Sequence, residues 1–245
     1  MDREVRVPRI ALLAGGPLGA ILMALVAAGS DGLPVASTPP FASEGDAVLA
    51  RFLARPDEPH PRLRVLRRMR AQGLGKEAFM DVRVLVDPEG GFRFQVEAEG
   101  GSRFLRDRAF RGMLEEEQEV YASHAAARTS FTADNYVLTA EGRGPDGLVR
   151  LRAVPRRPEA ALLDGCFAVT ADTADLVRAE GRLARSPSFW ISRVDVVRHY
   201  RRIRGHRVQV RLESAAHMRL FGEVRIVVYF DYEMVDGDEL ASVDS

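Results

Sequence analysis

Residues that commonly perform catalysis or bind metals are few in this chain and lie far apart. Cys166 is the only cysteine, which excludes an intrachain disulfide and a CxxC zinc or redox pair. The GxSxG, HExxH and P-loop motifs are absent. Metal-ligand spacing is also absent among the five histidines, His60, His124, His199, His206 and His217. We therefore predict a protein that is not an enzyme and that has no metal ion and no cofactor.

Charged residues occur in runs, but the whole chain has a formal net charge of zero. The acidic run EEEQE at 115–119 would spread its carboxylates around a helix axis, which disfavours a paired acid/base site. Two basic runs, at 62–70 and 198–207, could each contact an anionic lipid head group or form an ordinary solvated face. Because the balanced charge creates no large field, we interpret both runs as solvated and predict no nucleic-acid binding.

The first thirty residues resemble an export signal. Arg3, Arg6 and Arg9 precede an apolar run at 10–29 that ends in small residues. We predict a signal peptide over 1–28, cleaved after Ala28, and a periplasmic or secreted protein. The alternative is that residues 10–29 remain as an uncleaved anchor in the inner membrane, since the run is long enough to span a bilayer. A Gly, Pro and Ser-rich linker follows at 29–40.

The rest of the chain indicates helices first and strands afterwards. We predict helices over 43–56, with Ser43 as N-cap, over 60–73 and over 102–126. A hairpin over 78–101 separates the second helix from the third. From Asn135 onward apolar and polar residues alternate, with turn residues about every eight to twelve positions, which is typical of an antiparallel meander. The predicted fold class is α+β, a domain over 41–237 with a flexible tail at 238–245.

The predicted sheet has more apolar surface than three helices can cover. The last strand shows this best, because Val224, Ile226, Val228, Phe230, Tyr232 and Met234 alternate with more polar residues. Such a sheet can curl around an open apolar cleft, or it can close over a filled core. The alternation itself leaves both possibilities open.

The order of these segments resembles the LolA-like superfamily of exported lipoprotein carriers. The similar segments are LRAVPRRPEAALLDGCFAVTADTADLVRAEGR, at 151–182, and VQVRLESAAHMRLFGEVRIVVYFDYEMVDG, at 208–237. The resemblance implies a strongly curved, incomplete antiparallel β-barrel, with a few helices covering its concave face and an apolar cavity that holds acyl chains. It implies binding and transfer without catalysis. The predicted helix at 102–126 departs from the family's pattern.

Carried to this chain, the resemblance implies an exported carrier of a lipid, a lipoprotein acyl chain or another apolar ligand. Its partners would be a lipid or lipidated protein, with a transient contact with the membrane surface; the sequence does not address the oligomeric state. The alternative is an envelope protein-protein interaction module with the same fold and a filled core. The candidate cavity-lining residues are Val84, Phe94, Phe110, Met113, Phe189, Trp190, Val194, Val196, Val224, Ile226, Val228, Phe230 and Tyr232.

Overall fold

A computed structural model describes residues 43–55, 61–88, 91–123, 128–159, 161–220 and 222–240. The predicted signal peptide, the predicted linker and the first two residues of the predicted domain lie outside these ranges. The described elements are an N-terminal helix, three long strands, a second helical segment and a meander of seven further strands, followed by one short strand.

Helix α1, Glu44–Leu53, confirms the first helix prediction and begins with a capping box. The Ser43 hydroxyl accepts a hydrogen bond from the Asp46 N–H, and the Asp46 carboxylate accepts one from the Ser43 N–H. These two bonds satisfy backbone donors that a helix start otherwise leaves unpaired. The buried face of α1 carries Val48 and Phe52.

The second predicted helix is wrong, because residues Leu63–Gly73 form strand β1. The strand buries every second side chain, Val65, Arg67, Met69 and Ala71. An arginine at an inward position disrupts the apolar alternation, so Leu63, Leu66 and Met69 mimic the spacing of a helix face. Gly73 therefore ends a strand, and its positive-φ neighbours Leu74 and Gly75 turn the chain into β2.

The predicted hairpin is confirmed as β2, Lys76–Asp87, paired with β3, Gly91–Gly101. A long helical segment follows, built from α2, Arg103–Leu105, a π-helical stretch π1, Arg106–Arg111, and α3, Gly112–Ala122. We call these three the long helix. Leu105 and Phe110 are five residues apart, and both side chains are buried. The π-helical stretch between them makes this possible, because its wider turn brings residues five apart to the same face.

The predicted meander is also confirmed. Its strands are β4, Tyr136–Arg143; β5, Val149–Pro155; β6, Leu163–Val169; β7, Leu176–Leu183; β8, Ile191–Ile203; β9, His206–Met218; and β10, Gly222–Val235. Asp238 and Glu239, which the sequence places in the C-terminal tail, form the short strand β11 against β10.

All strands belong to one antiparallel sheet with the order β3-β2-β1-β10-β9-β8-β7-β6-β5-β4. The first hairpin and the meander therefore meet where β1 pairs with β10. The sheet is curved and unclosed, with β3 and β4 at its two edges, and the helices cover its inner face. This confirms the α+β class and the incomplete barrel with helical cover.

A bulge corrects one detail of the last strand. Val65 pairs with Tyr232 and Arg64 pairs with Met234, so Glu233 is an extra residue in β10. Because side chains alternate along a strand, this extra residue moves Met234 off the inner face. Val235 takes its place and is fully buried.

Two hydrophobic clusters occupy the inner face. The hairpin cluster joins inward residues of β1, β2 and β10 to Phe92, on β3, and to Leu105, Phe110 and Leu114 of the long helix. The meander cluster joins α1 to inward residues of β4–β8, with Phe167 beneath Phe52. Each helix thus covers one end of the sheet, and the strand between the two clusters is β9.

Candidate functional site

The inner face of β9 lies along the boundary between the two clusters. Its Leu212 packs against both of them. Further along the strand, Ser214 and Ala216 point to the same face and have small side chains. All three residues are partly exposed, while their apolar neighbours on the flanking strands, Val194, Val196, Val224, Ile226 and Val228, are buried. We call this strip, Leu212, Ser214 and Ala216 with its flanking rows, the furrow.

The register of β8, β9 and β10 defines the furrow's walls. Ala216 pairs with Val194 on one side and Val224 on the other, and Ser214 pairs with Val196 and Ile226. Branched side chains therefore stand on both sides of small ones over two consecutive rows. The furrow is therefore a strip of small side chains between two rows of larger apolar ones.

The third row of the furrow is polar on one side. Leu212 pairs with Arg198 of β8 and with Val228 of β10. Arg198 lies beside Tyr200, which packs against the meander cluster, and burial raises the pKa of the Tyr200 hydroxyl. A cation therefore lies beside Leu212, at the end of the furrow that we call its inner end.

Glu116 of α3 faces the same end. Burial raises the pKa of this carboxyl to about 7, the charges of Glu119 and Glu117 add to the effect, and Arg198 opposes it. Part of the acidic run at 115–119 is therefore directed toward the interior.

Glu117 makes the second polar contact below the long helix. Its two carboxylate oxygens accept hydrogen bonds of 2.5 and 2.8 Å from Arg67, which is only 6% exposed. The Arg67 guanidinium also lies 5.4 Å from the Phe92 ring centre and 5.0 Å from that of Phe230. Burial disfavours the charge on Arg67, but Glu117 more than compensates and the pKa of Arg67 is raised.

The raised pKa of Glu116 predicts a pH-dependent stability. Between pH 4.5 and about pH 7, the folded protein keeps Glu116 protonated, whereas the unfolded chain loses this proton. The contribution to stability is therefore complete below the ordinary pKa and is lost as pH rises through the folded one. We expect Glu116→Gln to stabilise the protein by about 1–2 kcal/mol at about pH 8, and to lose that advantage at about pH 4. Urea unfolding at both pH values measures this, with exposed Glu115→Gln as the control. An equal effect of Glu116→Gln at both pH values would contradict the prediction.

Most of the predicted lining residues come together on the inner face. The hairpin cluster contains Val84, Phe110, Val224, Ile226 and Val228, and Phe94, Met113, Phe230 and Tyr232 pack against it. Val194 and Val196 belong to the meander cluster. Phe189 and Trp190 do not follow this pattern. They lie instead on the loop between β7 and β8, where Phe189 is 74% exposed.

The sequence-based candidates omitted the furrow's floor. Ser214 and Ala216 occupy alternate positions in RLESAAHM, and that alternation was a usable signal for a low strip on one face. Arg67, Arg198 and Glu116 were omitted for another reason. A charged residue in a basic or acidic run is usually solvated, and only the pairing of distant strands shows that these point inward.

We also searched the rest of the described chain for a ligand cleft, a metal site and a membrane-spanning helix. A cleft of about 200 Å³ near the end of β10 is lined by Arg62, Asp87, Pro88, Asp236 and Gly237, a set with three charged side chains. Within the described ranges, no cluster of three or more His, Cys, Asp or Glu side chains could hold a metal ion. Over the same ranges, no helix combines the length and the apolar character needed to cross a membrane.

No protein-family model matches the chain, and no curated protein matches it. Among solved structures, the chain is similar to the crystal structure of a LolA superfamily protein from Nitrosomonas europaea. The two chains are 11% identical, the TM-score is 0.37, and the match covers 80% of this chain and 94% of that one. That protein belongs to the superfamily that the sequence resembles.

Proposed function

We propose that this protein is a non-catalytic carrier or binding protein for an apolar chain, such as a lipid or the acyl chain of a lipoprotein. The observation that carries the proposal is the furrow. Small, partly exposed Ser214 and Ala216 lie between rows of valine and isoleucine. Binding sites for apolar ligands have this character, with hydrophobic walls and few polar groups.

The furrow's dimensions suit a linear ligand. A strand rises about 3.3 Å per residue, so the floor from Leu212 to Ala216 extends about 13 Å. Arg198 and Glu116 at its inner end offer polar groups to one terminus of a bound molecule. The two helices would act as covers, since α1 packs on β4 and β5 and the long helix packs on β2 and β3, on opposite sides of the furrow.

The proposal includes the location that the sequence predicts. A protein with the export signal at 1–28 would act in the periplasm or be secreted, or would stay at the inner membrane if residues 10–29 were retained. A carrier of apolar molecules is useful in such an aqueous compartment, where free acyl chains are poorly soluble.

The experiment fills the furrow and measures ligand binding. Ala216→Phe places a large side chain on the floor, while Ala215→Phe, the matched control, changes the adjacent residue on the opposite face of β9. We expect the full-length wild-type chain to bind a dansyl-labelled fatty acid. We expect Ala216→Phe to raise the Kd about tenfold or more, because the ligand and the ring compete for one volume.

The Ala215→Phe control shows whether a loss of binding is specific to the furrow. Ala215→Phe should bind the labelled fatty acid like wild type, and urea unfolding should show that both variants fold. The carrier proposal is overturned if wild type does not bind the fatty acid and the purified protein carries no lipid by mass spectrometry. That result would favour the alternative, an interaction module with a filled core.

A further inference from the structure

Two adjoining loops expose large apolar side chains at one end of the sheet. Residues 185–190 lie in the connection between β7 and β8, and residues 219–220 lie in the connection between β9 and β10; we call these eight residues the tip. Phe189 is 74% exposed and Leu220 is 70% exposed, the two highest values among the exposed large hydrophobic residues of the described chain. Large apolar side chains that are exposed close together are typical of interaction surfaces.

The tip is held in place by specific contacts between its two loops. The Arg219 N–H donates a hydrogen bond of 2.9 Å to the Trp190 carbonyl, and Arg219 Nε donates one of 2.8 Å to the Phe189 carbonyl. The Arg219 guanidinium also lies 5.2 Å from the Phe189 ring centre. The Phe189 and Trp190 rings meet edge to face, with centres 5.6 Å apart. The exposed surface is therefore a built feature of two linked loops.

The charge of the tip has one sign. Its eight residues include two arginines, Arg185 and Arg219, and no acid. The nearest acids along the strands already have partners, since Asp195 pairs with Arg193 at 2.6 Å and Glu223 pairs with His217 at 3.3 Å. The local field at the tip thus favours an anionic partner although the whole chain is neutral.

We propose that the tip docks on the surface of an anionic lipid bilayer, with Phe189 and Leu220 inserted among the acyl chains and Arg185 and Arg219 at the phosphates. Aromatic residues such as Trp190 favour the interface between head groups and hydrocarbon. Arginine beside them adds attraction to anionic lipids. This combination of apolar, aromatic and basic groups suits a bilayer better than it suits an acidic protein surface.

The tip lies directly above the outer end of the furrow. Ile191 and Met218 pair directly below the tip, and the next inward row is Val194, Ala216 and Val224, where the furrow begins. If the furrow holds an apolar chain, as proposed above, docking would bring its outer end to the membrane. The docking itself does not depend on that ligand, so the two proposals can fail separately.

The chain provides its own probe, because Trp190 is its only tryptophan. We expect vesicles of phosphatidylcholine mixed with phosphatidylglycerol to shift Trp190 emission to the blue. Brominated acyl chains in the same vesicles should quench it, since bromine quenches at short range. Vesicles of phosphatidylcholine alone should have a much weaker effect. Reading Trp190 separates tip docking from any vesicle binding by the apolar run at 10–29.

Variants identify the groups responsible. Leu220→Ser and Arg219→Glu should each reduce the vesicle affinity about tenfold, through lost apolar burial and reversed charge respectively. Leu85→Ser, which removes a comparable exposed leucine from β2, should leave it unchanged. Urea unfolding checks that all three variants fold.

Three results would overturn the proposal. The first is that brominated lipids do not quench Trp190. The second is equal quenching in vesicles with and without phosphatidylglycerol, which would remove the role of the arginines. The third is that Leu85→Ser weakens binding as much as Leu220→Ser. Absence of quenching together with normal fatty-acid binding would leave the carrier proposal standing and point to a protein partner for the tip.

Discussion

Glu117→Ala should lower the free energy of unfolding by about 3 kcal/mol or more, because it leaves a buried guanidinium without its carboxylate. Arg67 is 6% exposed and both of its bonded nitrogens donate to Glu117. The two flanking rings, Phe92 and Phe230, stabilise the cation only in part. Urea unfolding near neutral pH measures the change.

Removing the other partner should cost less. Glu117 is partly exposed, so after Arg67→Met its carboxylate can regain water, and the methionine can fill part of the space between the rings. We expect a loss of about 1–2 kcal/mol for Arg67→Met. The double variant Arg67→Met, Glu117→Leu should be clearly more stable than Glu117→Ala alone, since it contains no unpaired charge. Exposed Glu115→Ala is the control for loss of an acidic side chain from α3.

One result would contradict the predicted role of the Arg67–Glu117 pair. If Glu117→Ala costs no more than Glu115→Ala, the ion pair does not stabilise the contact between β1 and the long helix. Because the same helix carries Glu116 toward the furrow, we expect the pair to hold this proposed cover against the sheet. A weak pair would then imply a cover that separates readily.

Gly165→Ala should destabilise the protein by about 3 kcal/mol or more, because the added methyl group would overlap backbone atoms of the neighbouring strand. A Cβ at Gly165 would lie 1.9 Å from the Glu180 carbonyl oxygen and 2.6 Å from the Gly181 Cα. Gly165 and Gly181 face each other in the β6–β7 pair. Neither atom can move away without displacing a strand.

Gly112→Ala is the matched control for this change. Gly112 has a helical φ of −58°, and nothing lies within 4 Å of its Cβ position. The same substitution should therefore stabilise the protein there, by about 0.5–1 kcal/mol, through reduced backbone entropy of the unfolded chain. Thermal and urea unfolding of both variants test the contrast. A Gly165→Ala variant as stable as wild type would show that β6 and β7 are not so closely apposed.

Elements defined by local chemistry could be predicted from the sequence. Ser43 begins α1 through a capping box whose partners are three residues apart, and the first hairpin follows from a turn between two alternating runs. The meander follows from the same alternation. The α+β class and the apolar inner face of β10 were predictable for this reason, because each depends on residues that are close in the sequence.

The tertiary structure alone decided the features that depend on distant partners. Residues 63–73 form a strand because Arg67 can be inward when Glu117 neutralises it and two aromatic rings flank it. The bulge at Glu233 changes which side chain, Met234 or Val235, faces the interior. The location of Phe189 and Leu220 at one tip requires that β7–β8 and β9–β10 connect at the same end of the sheet. Sequence periodicity reports which residues share a face, whereas charge burial, register and the meeting of separate loops arise only when strands far apart in the chain pair.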